Sequence, residues 1–381
     1  MNKLKYTYFI SLYIVTILLG IGCDDNKKAE PQLKDSTIES YQTELLNTAF
    51  KVSSAIPTYP HIKSRCLEQQ NVVEACLELN QAKMAFEFIK QIENWRKQLC
   101  CAELALYCAK NDYKESDVQY FLSLASQVPE NTEDWRKDQV DAEIAQTNAV
   151  IEQANQKLDN FDEELKALEK LVSTENFDTV QSALGTYSEL YNRFYSNSER
   201  RNLIENKIKS SWDKMPVLIR INFVLDMANS SLDHNEKPEA LKLVNESREM
   251  MDSETWPPRY GIPLLAKIAK FHALSGDPNT AKSELKEALD IYNNNSNQIV
   301  NIDKADVLRP IAEAYITAKD TALSNNIYKQ AIEAGIENPN SRPRAEDLSA
   351  TCCSMALNKF EPGRELFSRI KEVQENLSDP W

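Results

Sequence analysis

Between Leu265 and Ala288 the apolar and small side chains follow one helical period, break, and take it up again. Leu265, Ile268, Ala269 and His272 share a face, Gly276-Asp277-Pro278 interrupts it, and Ala281, Leu285 and Ala288 resume it. The pattern predicts a helix, a tight turn and a second helix folded back on the first. Towards the N-terminus the same layout occurs in Val224, Met227 and Ala228, then Ala240, Val244 and Ser247, with Asn235 at the turn. Towards the C-terminus it occurs in Leu308, Ile311, Ala312 and Tyr315, then Ser324, Tyr328 and Ala331, and Cys352, Met355, Ala356 and Gly363 look like a closing half-unit. Earlier in the chain, Ser36 or Thr37 is the expected N-cap of a helix with Ile38, Tyr41, Leu45 and Ala49 on one face, ended by Pro57 and Pro60. Two further pairs follow: Val72, Val73 and Cys76 with Ala85, Ile89 and Ile92, and Cys101, Leu104, Ala105 and Cys108 with Phe121 and Leu124. One such pair cannot bury its own apolar face, so each predicts neighbours.

The order of residues in the Leu265 unit resembles the tetratricopeptide repeat: large, apolar and small on the first helix, glycine at the turn, then Ala-x3-large-x2-Ala on the second. Small residues let two helices approach and large ones fill the groove between them. The resemblance covers most of 62–145 and 215–370 and implies an all-α fold, an α-solenoid of tetratricopeptide-like helical repeats in two blocks. Spacings of 40 to 44 residues exceed the 34 of that family, so the loops are expected to be long. The clearest internal copy is Trp95-Arg96-Lys97-x4-Ala102-Glu103-Leu104-Ala105, repeated as Trp135-Arg136-Lys137-x4-Ala142-Glu143-Ile144-Ala145. Recurrence at the structural period points to indoles packed between helices under a guanidinium.

Past Ala145 the period changes. Ile144, Ile151, Leu158, Leu165 and Val172 are spaced by seven, with Ala154, Phe161 and Leu168 between them, and Phe177, Val180, Leu184, Tyr187, Tyr191 and Phe194 continue the pattern after a break. A coiled-coil-like antiparallel hairpin within one chain accounts for this seam, and a dimeric coiled coil is the alternative; a monomer is favoured. The expected organisation is helical repeats over 36–145, the hairpin over 146–212 and tetratricopeptide-like repeats over 213–381.

The first 22 residues have the layout of a signal peptide, with Lys3 and Lys5 before an apolar run from Tyr6 to Ile21. The ending Leu19-Gly20-Ile21-Gly22-Cys23 resembles a bacterial lipobox, although Gly20 stands where that motif prefers Leu. The resemblance implies lipidation of Cys23 and a tether over 23–35; an uncleaved anchor or an ordinary cleaved signal are the alternatives. Each takes the chain out of the cytoplasm, and the lipoprotein reading places it in the bacterial cell envelope, lipid-anchored with the body outside the cytoplasm. No later segment approaches the ~20 consecutive apolar residues of a membrane span.

Composition adds exclusions. Lys+Arg 44 against Asp+Glu 58 gives a net charge of −14, which opposes binding to nucleic acid, and no local basic cluster offsets it. The chain has no Gly-rich phosphate loop, His-Glu-x-x-His, Gly-x-Ser-x-Gly or Cys-x2-Cys, so neither an enzyme nor a metal or cofactor site is expected. Its three histidines, His61, His234 and His272, are scattered, and His272 falls at a packing position. Of the cysteines beyond Cys23, Cys76, Cys101, Cys108 and Cys352 fall at packed positions and read as core thiols, with one disulfide among Cys66 to Cys108 as the second reading.

The expected function is a membrane-anchored scaffold that binds an envelope protein, or a peptide segment of one, on its concave surface. In the repeat family that surface is lined by first-helix residues just outside the packing positions, which implies Asn222, Asn229, Lys270, Arg309 and Glu313 here. The alternative is a nutrient- or glycan-capturing helical lipoprotein, which needs Trp95, Trp135 and Trp256 to face solvent.

Overall fold

A computed structural model of the protein describes residues 30–156, 161–162, 165–166, 187–210, 212 and 215–381, with the side chains of 152–156 excepted. Among the described residues the fold is all-α, and the one strand-like contact is the bridge between Asp35 and Gln81. The first run of helices is α1 (Ser40–Ala55), α2 (Thr58–Glu78), α3 (Ala82–Ile89), α4 (Arg96–Lys110), α5 (Glu115–Ala125) and α6 (Asp134–Gln156). The second is α7 (Ser198–Lys209), α8 (Val217–Asp233), α9 (Lys237–Asp252), α10 (Pro258–Ser275), α11 (Pro278–Asn295), α12 (Asn301–Thr317), α13 (Thr321–Ile336), α14 (Ser341–Leu357) and α15 (Arg364–Glu375).

The turns form where their residues permit. Gly276 takes φ 100, a conformation that costs side-chain-bearing residues, and Asp277 then accepts from the Thr280 amide to cap α11. Asn235 and Asp112 take φ 61 and 56 at the turns after α8 and α4. At the first helix, however, the cap is Glu39 and not Ser36 or Thr37. Glu39 and Gln42 exchange backbone and side-chain bonds in a capping box, which satisfies two orphan donors where a lone hydroxyl satisfies one.

Three consecutive pairs, α8/α9, α10/α11 and α12/α13, pack as helical hairpins, and the second helix of each also packs on the first helix of the next. The positions read from the sequence are their core: Ala228, Leu265, Ile268, Ala269, Ala281, Leu285, Ala288, Ile311, Ala312 and Ala331 are all fully buried. Ala269→Leu is therefore expected to force α10 from its neighbours and cost ~1–3 kcal/mol, against under ~0.5 kcal/mol for Lys286→Ala on an exposed face. Equal losses in chemical unfolding would contradict this packing.

The next first helix, α14, has no such partner after it in the chain, since α15 touches it only at the margin. Its close partner is α1, from the other end of the sequence. The Gln42 side-chain amide donates to the Ala356 carbonyl at 2.8 Å, and the Ser349 hydroxyl to the Ala49 carbonyl at 3.3 Å. α1 then packs on α2, and α2/α3, α4/α5 and α6 continue the same succession. One continuous apolar core results, running from Leu33 to Val373. The two blocks are thus in direct contact through a pair assembled from both chain ends.

The middle of the hairpin expected over 146–212 lies outside the described residues, including Leu158, Leu168, Val172, Phe177, Val180 and Leu184. Two of its seam positions are described in contact, Phe161 edge-on to Phe194 at 4.9 Å. Glu189 meets Lys110 and Gln146 on one side, Ser188 donates to Asp226 on the other, and Tyr195 stacks on His234 at 4.1 Å. These contacts link α4 and α6 to α8 through residues 187–195.

Residues 30–36 are not a free tether. Leu33 is buried, the Ser36 amide donates to Asn80, and the Asp35 carboxylate accepts from the amides of Lys83 and Met84, capping α3 from outside its own segment. The seven cysteines from Cys66 to Cys353 are free and buried, so no disulfide bridges Cys66 to Cys108. Burial raises every one of these thiols, Cys101, Cys108 and Cys352 to about 12, which leaves them protonated and unreactive in the folded protein.

Candidate functional site

The first helices α8, α10 and α12 stack side by side, and the surface they share forms an open cavity of about 610 Å³. Its apolar lining comes from Leu218, Tyr260, Pro263, Phe271, Leu274 and Pro310. Tyr260 is 52% exposed, which makes it the most open apolar group on this surface. Two lining residues are prolines inside helices, Pro263 in α10 and Pro310 in α12. Each removes one helical N–H, so the carbonyls of Arg259 and Asp306 lose their usual donor four residues on. At the entry to α10, Gly261 allows Trp256 to close against the helix: a Cβ there would lie 2.8 Å from Trp256 Cβ. The Trp256 indole N–H is spent on the Met251 carbonyl at 2.8 Å.

Asn222, Asn229, Lys270 and Glu313, four of the five side chains expected to line the concave surface, line this cavity. Lys270 sits 3.7 Å from the Glu313 carboxylate and donates to Asn358 at 3.1 Å. Glu313 accepts from the Ser354 hydroxyl at 2.7 Å, so the Tyr328 hydroxyl, 2.8 Å from Ser354, is the donor in the next bond. This wall is thereby fixed by a chain of bonds reaching into α13 and α14. Asn229 donates to Asp233 at 3.3 Å on the exposed face of α8.

The fifth residue, Arg309, does not line the cavity. It turns to Asp306, with which it is in close contact, and stands 3.8 Å from Asp347 of α14, with Glu68 of α2 and Glu346 nearby. Residue spacing places it on the correct helix, but the carboxylates supplied by α14 and α2 draw it into the junction between the blocks. Cys23 lies outside the described residues.

Lys267 was missed from the sequence. It lines the cavity and donates to Asn222 at 2.8 Å; desolvation lowers its pKa, opposed by the nearby Asp226 and reinforced by Lys270. Its position three residues before Lys270 puts both on one helical face, a signal the sequence did contain. The two intrahelical prolines are a second such signal.

The indoles divide. Trp95 is buried and meets Trp135 edge-on at 5.9 Å, while the Arg136 guanidinium lies over both rings. Trp135 itself is 53% exposed, with its N–H on Glu133, so the repeated motif packs at one copy and caps the outside at the other. None of the three indoles that glycan capture requires lines the cavity. His272 is a packing residue held between Glu284 at 2.7 Å and Asn245 at 3.1 Å. No family model matches the chain, and no curated protein matches it.

Proposed function

We propose that this chain is a membrane-anchored, tetratricopeptide-like α-solenoid scaffold that binds an extended segment of another cell-envelope protein in the cavity of α8, α10 and α12. The observation that carries the reading is a mostly apolar cavity with two amide side chains, Asn222 and Asn229, on one helix lining it. Seven residues of helix separate these amides by ~10 Å, the length of about three residues of extended chain. A carboxamide both donates and accepts, so it can satisfy the free N–H and C=O groups of a peptide backbone irrespective of its sequence. Apolar side chains of the segment would then fill the space between Phe271, Leu274 and Pro310, which supplies the hydrophobic part of the affinity. Lipidation of Cys23 would hold the body at the membrane where such a partner resides.

A photo-crosslinking residue at Leu274 in cells is expected to capture one discrete envelope protein, and Lys286 on the exposed face of α11 to capture none. Substituting Asn222→Ala and Asn229→Ala together should lower the Leu274 yield several-fold. The same products from both positions, or a yield insensitive to the double substitution, would remove the cavity from the reading.

A further inference from the structure

The last residues before the first helix are docked in a way that a spacer does not need. From Ser36 back to Glu30 the chain runs along α3. At the start of that helix the Ser36 amide donates to the Asn80 carbonyl, and the Gln81 side chain donates to the Ser36 carbonyl at 2.8 Å. Asp35 caps α3, and the Tyr113 hydroxyl from the turn after α4 donates to the Lys34 carbonyl at 3.3 Å. Leu33 is inserted into the core, and Glu30 reaches the far end of α3 to pair with Lys90 at 3.2 Å. Glu30 also lies near Tyr120 of α5, whose hydroxyl is made harder to ionise first by burial and then by this carboxylate. The described segment therefore begins at a defined place, beside Lys90 at the end of α3 and near Tyr120 of α5, and none of its partners lines the cavity.

We propose that residues 30–36 act as a strap that turns one face of the body, the side of α3 and α5, towards the lipid surface and leaves the cavity of α8, α10 and α12 open to a partner. This rests on the reading of Cys23 as the lipidated residue. Six residues separate Cys23 from Glu30, and the seven steps between the two span at most ~25 Å at full extension. The anchored lipid thus sets an upper limit on the distance between the bilayer surface and the end of the strap, whatever path those residues follow. Because the strap is bonded at three points along α3, to Gln81, to Lys83 and Met84, and to Lys90, and once more to Tyr113, the limit applies to that face and not to the body as a freely tumbling whole. A plain tether of the same length, free from Cys23 to the first helix, would allow any face to approach the membrane.

Energy transfer tests the orientation on the full-length lipidated protein, purified in detergent and reconstituted into phosphatidylethanolamine–phosphatidylglycerol vesicles that carry an acceptor-labelled lipid. A donor fluorophore is placed genetically at Ser123, exposed on α5, or at Lys286, exposed on α11. Transfer from Ser123 is expected to be several-fold stronger than from Lys286. Loosening the strap with Leu33→Ala and Asp35→Ala is expected to bring the two values together while the fraction of protein bound to vesicles stays unchanged. Equal transfer from both positions in bound parent protein, with binding lost in Cys23→Ser, overturns the strap and leaves the lipid anchor standing. Binding that persists in Cys23→Ser overturns the anchor, and the orientation with it.

Discussion

Removing residues 40–55 is expected to abolish the cooperative unfolding of the whole chain, including the helices more than 200 positions away that a linear array would leave intact. α1 contributes Leu45, Leu46, Ala49, Phe50 and Val52 as fully or nearly fully buried side chains. At ~1.5–3 kcal/mol for each large one, their loss is comparable to the ~5–15 kcal/mol by which a domain is usually stable. The damage falls mainly on α14. That helix is buried on nearly all sides, with Ala345, Leu348, Cys352, Met355 and Ala356 enclosed along with Ser349, Thr351 and Ser354, a pattern that belongs to the middle of an array and not to its end. Without α1 it would expose the Ala356 carbonyl and an apolar stripe together. Circular-dichroism melts should show a broad, early transition for this deletion and a cooperative one, shifted modestly, when 364–375 is removed instead. A sharp transition at the parent temperature without α1 would mean that the two chain ends do not form a shared pair.

Between pH 8 and pH 6 the protein is expected to become more stable, the reverse of the acid sensitivity that paired carboxylates confer. Desolvation raises Glu103 on α4 to about 8, and Glu68 on α2 and Asp347 on α14 to about 7; for Glu103, Glu74 and Glu143 add to the effect, and for Glu68, Glu346 does, while Arg309 opposes it at Asp347. A carboxyl whose folded pKa lies above its unfolded value binds a proton in the native state that the unfolded chain gives up. Its stabilising contribution is complete below about pH 4 and is lost as the pH rises through 7 and 8. Over the window from 8 to 6 each group should restore ~1–2 kcal/mol. Groups with the opposite sign, such as Glu333 lowered by its Arg369 bonds and Asp277 lowered by Thr280, lose their contribution only below their ordinary values and so do not intrude. Glu103 has a further reason to matter: one carboxylate oxygen is buried without a hydrogen-bond partner, while the other accepts from Gln70 at 2.8 Å. Glu103→Gln should flatten the dependence of melting temperature on pH and leave the protein at least as stable at pH 8. A melting temperature that falls from pH 8 to pH 6 in the parent would contradict this assignment.

The helices, their pairing with sequence neighbours and the turns at Asn235 and Gly276 were legible because each depends on residues within a few positions. Helical hydrogen bonds span four residues, a left-handed turn needs one permissive residue, and a short loop leaves the next helix little choice but to fold back. That Asn222, Asn229, Lys270 and Glu313 stand on the surface beside the packed positions was legible for the same reason: once Ala228, Ala269 and Ala312 are buried, the helical period places them there. Arg309, Trp135 and the strap were not. Their positions depend on what arrives from far along the chain, carboxylates of α2 and α14 for Arg309, the indole of Trp95 for Trp135, and the exposed start of α3 for Asp35. The pairing of α14 with α1 was least legible of all. The pattern of small and large residues on a helix fixes which side is buried and says nothing about which of several similar helices will cover it. The sequence by itself thus determined the helices, their faces and the local pairs of this protein, because those follow from short-range periodicity. Only the tertiary structure decided that the two ends meet and the array is continuous, because that choice rests on the sum of many weak contacts between segments about 300 residues apart.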